Sequence, residues 1–498
     1  MKDIIKDFIC EHPEVESFKE GFPNIGKRED SLPFGAAVHS IEEAWHFYDV
    51  DLYGLDTEQS IIKFGSGNPY CYRPFPLSTK YLKKVLNKRL YEYPAAAGEE
   101  DHREILAQYL MKEGFPNIHY SNVLITNSTT HGFYLILKAI FRPYDVILMT
   151  GPNYGLFAFM PERLNIGVEI IDLKRENDYI LDYHEMDQKI KEINKQLKNK
   201  YKGRLDYVPR VRGFLNINPH NPLGTVLSDQ NIDILQGIGE VCKKHNVFVI
   251  DDLVYRDLSY NRNHLAKPIG SIDEYFDYSI SLFGLSKSYG LAKTRTGFIV
   301  ANEVIIRALR DQLFYMMDSA SILQSSLLVG AYNPCYYRDV VYKKYFKDII
   351  EKYRYNCYLC IAMIDGIESI KDTKYYSSIK RFLKRKIHNS EELQNIYEGI
   401  PYAHVEIIPK SGFFLLINFT QFKKTGMISS EQELLAYFYK KCGIKFLVGQ
   451  SFSWPYKDEI IMRITYSFDK DILVDAFHRI HLCMRGDICE TDRDNSKS

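Results

Sequence analysis

The stretch SLFGLSKSYGLAKTRTGFIVAN, residues 281–302, sets one lysine between two serines where an apolar run stops. Lys287 sits in that small polar turn, Arg295 follows eight residues on, and a second apolar run starts at 297. Two apolar runs around such a turn read as strand, loop and strand, with the charged pair at the strand end.

Working outward, short apolar runs alternate with longer amphipathic ones from about 95 to 345. The candidate strands are NVLIT (122–126), DVILMT (145–150), VEIIDL (168–173), GFLNIN (213–218), VFVIDD (247–252), YSISLF (278–283) and GFIVA (297–301). Helical patterns such as 130–141 and 231–246 lie between them. This alternation predicts an α/β domain with a mainly parallel sheet, whose ligand sits beyond the carboxyl ends of the strands. After 345 the pattern changes. A long helical run leads to a polar, charged segment at 371–399, then to strand patterns at 405–419 and 459–468 and a final helix. We expect a large domain over 95–345, a smaller α+β domain from 1–94 (with an N-terminal arm) and 346–485, and a polar, disordered tail over 486–498.

Composition narrows the function classes. The 498 residues carry zero net charge and are 45% hydrophobic, which gives no sign of a nucleic-acid partner. The 38 tyrosines are as consistent with compositional bias as with large interfaces. No window nears the roughly 18 apolar residues of a membrane span, and the first 20 residues are charged throughout, so a cytoplasmic protein is expected. Nine scattered cysteines do not form a disulfide framework. Cys357 and Cys360 form a C-x-x-C on a helical pattern, but no second pair stands at zinc-site spacing, so packing is the better reading and no metal is expected. The basic run Lys384 to Lys386 reads as a solvated helix face.

The strand ends hold the chemistry. After the first strand, Ser128, Thr129 and Thr130 open a helix, where N–H groups and hydroxyls suit an anion such as phosphate. After the second, Tyr154 presents an aromatic ring. NPHNPLGT (218–225) is a rigid turn that can aim Asn221. Asp252 needs a positive partner beside an apolar core, and Tyr255 lies three residues on. One ligand accounts for the set. It has a phosphate for Ser128, Thr129, Thr130 and Arg295, and a flat ring for Tyr154. Its basic ring nitrogen meets Asp252, its ring oxygen meets Asn221 and Tyr255, and its carbonyl meets the Lys287 amine. That ligand is pyridoxal 5'-phosphate.

These residues also carry a family resemblance. SKSYGLAKTRTG, NPHNPLG and DLVY resemble the lysine, asparagine and aspartate motifs of the class I/II aminotransferases, fold-type I pyridoxal-phosphate enzymes, over roughly 60 to 485. The resemblance implies Lys287 as the Schiff-base lysine and α-proton carrier, Tyr93 of YPAAAG reaching a neighbouring subunit's phosphate in a homodimer, Gly67 of SGNP beside the substrate, and Arg463 of IMRITYS gripping the substrate carboxylate. It implies transfer of an amino group between an amino acid and a 2-oxo acid. The sequence departs from the family pattern at Gly284, where many members carry a phosphate-binding serine, at Thr129, where glycines are common, and in the longer 371–399 segment. Dicarboxylate-specific relatives place a second arginine in a segment resembling QLFYMMDSAS (312–321). None stands there, and Met317 or Asp318 takes its place, which argues against an acidic side chain as main substrate and leaves open a basic one at Asp318. Two alternatives remain: another pyridoxal-phosphate reaction (β-lyase, decarboxylase, oxidase or cyclase), and a non-catalytic ligand-binding protein.

Overall fold

All seven runs expected as strands between 122 and 301 form one sheet. A computed structural model describes residues 57, 59–70, 72–87, 90–335, 340–426 and 428–495, the last ten as backbone alone. Residues 1–56 of the expected N-terminal arm lie outside the described residues.

A short strand β1 (Ile62–Lys63) precedes the large sheet, whose members are β2 (Val123–Thr126), β3 (Val146–Gly151), β4 (Gly167–Asp172), β5 (Val211–Ile217), β6 (Phe248–Asp252), β7 (Ser279–Gly284) and β8 (Gly297–Ala301). Their order is β2-β8-β7-β6-β5-β3-β4. The strands β7, β6, β5, β3 and β4 pair in parallel, and β8 runs antiparallel to both β2 and β7. Near-continuous burial along β3, β5, β6 and β7 follows from helices covering both faces, the condition under which parallel strands become uniformly apolar. Helices Ser128–Ile140, Gly155–Glu162, Tyr183–Tyr201 and Ile232–His245 supply crossovers. Because β8 is reversed, its amino end lies at the edge where β2 and β7 end: Thr126 and Gly284 both pair with Gly297. That register brings the turn before Arg295's strand, the Lys287 turn and the Ser128 helix together.

The second sheet has the order β12 (Leu447–Val448), β13 (Ile461–Thr465), β10 (Phe414–Asn418), β9 (His404–Val405), all antiparallel. The single strand read over 405–419 is therefore two. Pro409 cannot donate to a ladder, Gly412 takes φ +74°, and Lys410 N–H donates instead to the Gly224 carbonyl at 2.9 Å. β1 pairs in parallel with β11 (Ile444–Lys445), a pairing across about 380 residues that local patterning does not reveal. The segment 371–399 holds two helices, Tyr376–Lys386 and Ser390–Glu398, the second capped by Asn389, whose Oδ1 accepts from the N–H groups of Glu391 and Glu392. Cys357 and Cys360 are buried within helix Val340–Ile364. The final helix runs Lys470–Asn495, through most of the tail we expected to be disordered; no proline interrupts it. Among the described residues no helix is long and apolar enough to cross a membrane.

Candidate active site

Asp252 at the end of β6, Arg295 just before β8 and Arg463 on β13 of the second sheet lie within electrostatic reach of Lys287. Its Nζ donates to the Gly67 carbonyl at 2.6 Å. The side chain is half-buried, and burial, helped by Arg463 and Arg295 and opposed by Asp252, pulls its amine down to about 8. A glycine at 67 leaves room for that contact: a Cβ there would stand 3.2 Å from the lysine nitrogen.

Asp251 and Asp252 point to opposite faces of β6, as alternation requires, and their surroundings differ. Asp251 is held by Asn216 Nδ2 at 2.7 Å and the Ile269 N–H at 2.8 Å, a structural role. Asp252, equally buried, accepts one hydrogen bond, from the Val254 N–H at 3.2 Å, and forms no ion pair among the described residues. Burial pushes its carboxyl up to about 7, and Lys287 pulls the other way. Such a buried acid calls for a cation facing it. Tyr255 is buried beside it, edge-on to Phe413 and Phe414. Tyr154 is half-buried and edge-on to Phe157 of the core.

Asn221 and Arg463 meet. Arg463 Nη1 donates to Asn221 Oδ1 at 3.0 Å and Nη2 to the Gly65 carbonyl at 2.6 Å, with the guanidinium 4.1 Å above the Phe414 ring. The first asparagine of NPHNP, Asn218, is structural instead: its side chain bonds Leu227 and Lys267 and closes the loop.

At the other end, Ser128, Thr130 and Arg295 line one cleft of about 680 Å³, together with His131, Met316 and Gln324. Ser128 takes φ +80° where it opens the helix, and Arg295 takes φ +47° with its guanidinium exposed. Thr129 packs against the strand ends: a Cβ on Gly284 would come within 3.0 Å of its methyl, and one on Gly297 within 2.9 Å of its backbone nitrogen. Glycine at 284, where many family members carry a serine, leaves the Thr129 methyl its place, since a Cβ there would press on it. Tyr93 stands apart, 89% exposed and touching none of these groups.

Sequence reading missed three members. The Gly65 carbonyl comes from an unremarkable loop. His131, whose Nδ1 accepts from the Asn127 N–H at 3.1 Å, was detectable, since it lies three residues after Ser128 on the same helix face. Gln324 bonds the Arg295 carbonyl at 2.8 Å from a distant helix.

The model of the family described as aminotransferase class I and II matches residues 59–333. The chain belongs to that family. It is an aminotransferase, and the reading as a non-catalytic binding protein falls away. The aspartate aminotransferase of Sulfolobus acidocaldarius is 23% identical over 428 residues, covering 84% of this chain and 89% of that one. A probable N-acetyl-LL-diaminopimelate aminotransferase of Bacillus subtilis is also 23% identical, over 85% of this chain and 89% of its own. Among solved structures, the aspartate aminotransferase of Thermus thermophilus with maleate superposes with a TM-score of 0.66 at 14% identity, over 93% of this chain and all of that one. The aromatic aminotransferase of Pyrococcus horikoshii gives 0.65 at 18%, over 86% and 96%. The architecture of this aminotransferase is therefore fold-type I, and the family's cofactor is pyridoxal phosphate.

Proposed function

We propose that this cleft holds pyridoxal 5'-phosphate and that the chain moves an amino group between an amino acid and a 2-oxo acid, with Lys287 as covalent anchor and proton carrier. The observation that carries the reading is the pair Asp252 and Lys287: a buried acid whose one hydrogen bond comes from the Val254 N–H, within electrostatic reach of an amine that donates to the Gly67 carbonyl. The donor set fits the cofactor. Ser128, Thr129, Thr130 and Arg295 would hold the phosphate, Asp252 the ring nitrogen, Asn221 and Tyr255 the ring oxygen, and Tyr154 the ring face. Bound there, the cofactor supplies an aldehyde for amines and a ring that accepts the electron pair left at a substrate α-carbon.

The chain's own residues do the rest. Lys287 Nζ, uncharged in a good fraction of molecules near pH 8, can take the α-proton and deliver it to the carbon on the other side of the nitrogen being transferred. Asp252, once opposite a protonated ring nitrogen, is held ionised by that charge and keeps the proton in place. Arg463 offers a planar fork to the substrate α-carboxylate, and Gly67 leaves space beside Lys287. Tyr93, projecting into solvent, suits a contact with a second copy of the chain in a homodimer. Some relatives are named for aspartate. Lacking an arginine in 312–321, this chain more readily takes a substrate whose side chain is not acidic.

The test is borohydride reduction of protein loaded with pyridoxal phosphate. The pyridoxyl group should be fixed on the peptide containing Lys287, with none there in Lys287→Ala. Incubation with amino donors should then release 2-oxo acids. Release of carbon dioxide, thiol or free amine instead would assign another reaction to the same site.

A further inference from the structure

Cys442 and Cys483 face each other away from the cleft, with 3.0 Å between their Sγ atoms. That is about 1 Å more than a disulfide bond. Cys442 ends helix Glu431–Cys442 and is buried; Cys483, on the final helix, is half-buried. Arg479 stands one turn before Cys483, on the same face. Its Nη1 donates to the carbonyls of Ser60, at 2.8 Å, and Cys442, at 3.4 Å, and its Nη2 to Ser60 Oγ at 2.9 Å.

We propose that Cys442 and Cys483 are a modification site that closes reversibly into an intramolecular disulfide and anchors the 60–67 segment. The thiols sit where that segment is tied down. Gly443, next to Cys442, accepts the Ile62 N–H at 2.9 Å through its carbonyl, and the Gly65 N–H reaches the Lys445 carbonyl at 2.8 Å. A Cβ on Gly443 would stand 2.8 Å from the Ser60 carbonyl, so the two backbones are in contact. The same segment supplies the Gly65 and Gly67 carbonyls that meet Arg463 and Lys287. A covalent bond between the two helices removes the freedom of Cys442 to move away from Arg479, and so holds Gly443 against Ser60 and Ile62.

Oxidised glutathione supplies the oxidant. The half-buried Cys483 thiolate attacks its disulfide and releases one glutathione thiol. Cys442 Sγ then attacks the Cys483 sulfur and releases the second, so two protein thiols become one disulfide and one glutathione disulfide becomes two thiols. The other buried cysteines are poor competitors: burial pushes the thiols of Cys242, Cys357 and Cys360 up, which keeps them protonated.

The experiment treats the full chain, loaded with cofactor, with oxidised glutathione, blocks remaining thiols with N-ethylmaleimide and maps the peptides. The expected result is one pair of peptides joined through Cys442 and Cys483, lighter by two hydrogens and separated by dithiothreitol. In Cys442→Ser, Cys483 should retain glutathione, because the second thiol is gone. Amide exchange across 60–67 should slow at least about fivefold in the oxidised protein. Recovery of both cysteines as maleimide adducts, a stable glutathione adduct on Cys483 of the unmutated chain, or a link from Cys483 to any other cysteine overturns the proposal. Unchanged exchange in the linked protein overturns its anchoring role. If Cys442→Ser does not fold, the peptide map of the unmutated chain decides alone.

Discussion

Arg463 and Asn221 share a hydrogen bond of 3.0 Å that joins the middle of β13 to the turn after β5. The bond fixes the Asn221 amide with its oxygen toward the arginine, leaving the NH₂ as a donor for the ligand. It also shows why a lysine would not serve at 463. One guanidinium reaches Asn221 and Gly65 together while stacked on Phe414, a planar arrangement that an ammonium cannot reproduce. Arg463→Lys should lower kcat/KM by ~10–100-fold, corresponding to the ~1.5–3 kcal/mol of a charge-assisted hydrogen bond, with KM rising for both amino and oxo acids. Steady-state kinetics would check it; an unchanged KM removes Arg463 from the carboxylate.

Asp252→Asn keeps the size of the side chain and discards its charge. The buried carboxylate accepts only the Val254 N–H from the protein, so folding should survive and the melting temperature should hold or rise. Catalysis should not survive, because an amide cannot hold a proton on the ring nitrogen. We expect kcat to fall at least about 100-fold, the scale of a lost electrostatic stabiliser. A kcat within threefold of the parent would place the ring nitrogen elsewhere.

Lys287 predicts a pH dependence. Its pKa lies below the ordinary lysine value, at about 8, so the reactive neutral amine accumulates as pH rises through 8. Covalent uptake of pyridoxal phosphate by the apoenzyme should therefore accelerate tenfold per pH unit below 8 and level off above it. Replacing Arg463 by methionine removes one of the cations that lower the amine, and should move the midpoint upward. Stopped-flow absorbance measures both; a midpoint near 10 in the parent rules out a buried amine in solution.

The positions legible in the sequence were those that follow from chain order. Every strand of the large sheet was visible as an apolar run, and each candidate site residue was sought at or just after the end of one. Lys287, Asp252, Asn221 and the 128–130 turn were proposed this way, and they lie at one edge of the sheet. What could not be read were partners from opposite ends of the chain. The Gly65 and Gly67 carbonyls carry no side-chain signal, yet they meet Arg463 and Lys287 across 398 and 220 residues. The split of 405–419 was hidden because its two halves are each apolar, and only the interruption at Pro409 and Gly412 separates them. The close fit of Gly284 against the Thr129 methyl is a matter of space, and a sequence does not show space.

Glu406 was invisible for the same reason. Its side chain is 2% exposed, on the segment between β9 and β10. It accepts from Arg175 Nε at 2.6 Å, from Asn418 Nδ2 at 2.9 Å and from the Tyr179 hydroxyl, so residues after β4 of the large sheet are tied to the small one. Glu459 extends the network to Arg175 and to Trp454 Nε1, but Arg175 is 42% exposed, and that outer contact adds little. Burial would raise the Glu406 carboxyl, but the donors together hold it below its ordinary range. The stabilisation is therefore present above the unfolded carboxylate pKa and is lost as pH falls through the lower folded value. Glu406→Gln should cost about 1.5–3 kcal/mol at neutral pH, the range for hydrogen bonds to a charged group. The gap between parent and variant should close in acid. Urea unfolding at several pH values measures it, and a gap that stays constant from neutral to acid pH means that the carboxylate's charge contributes nothing to the tie.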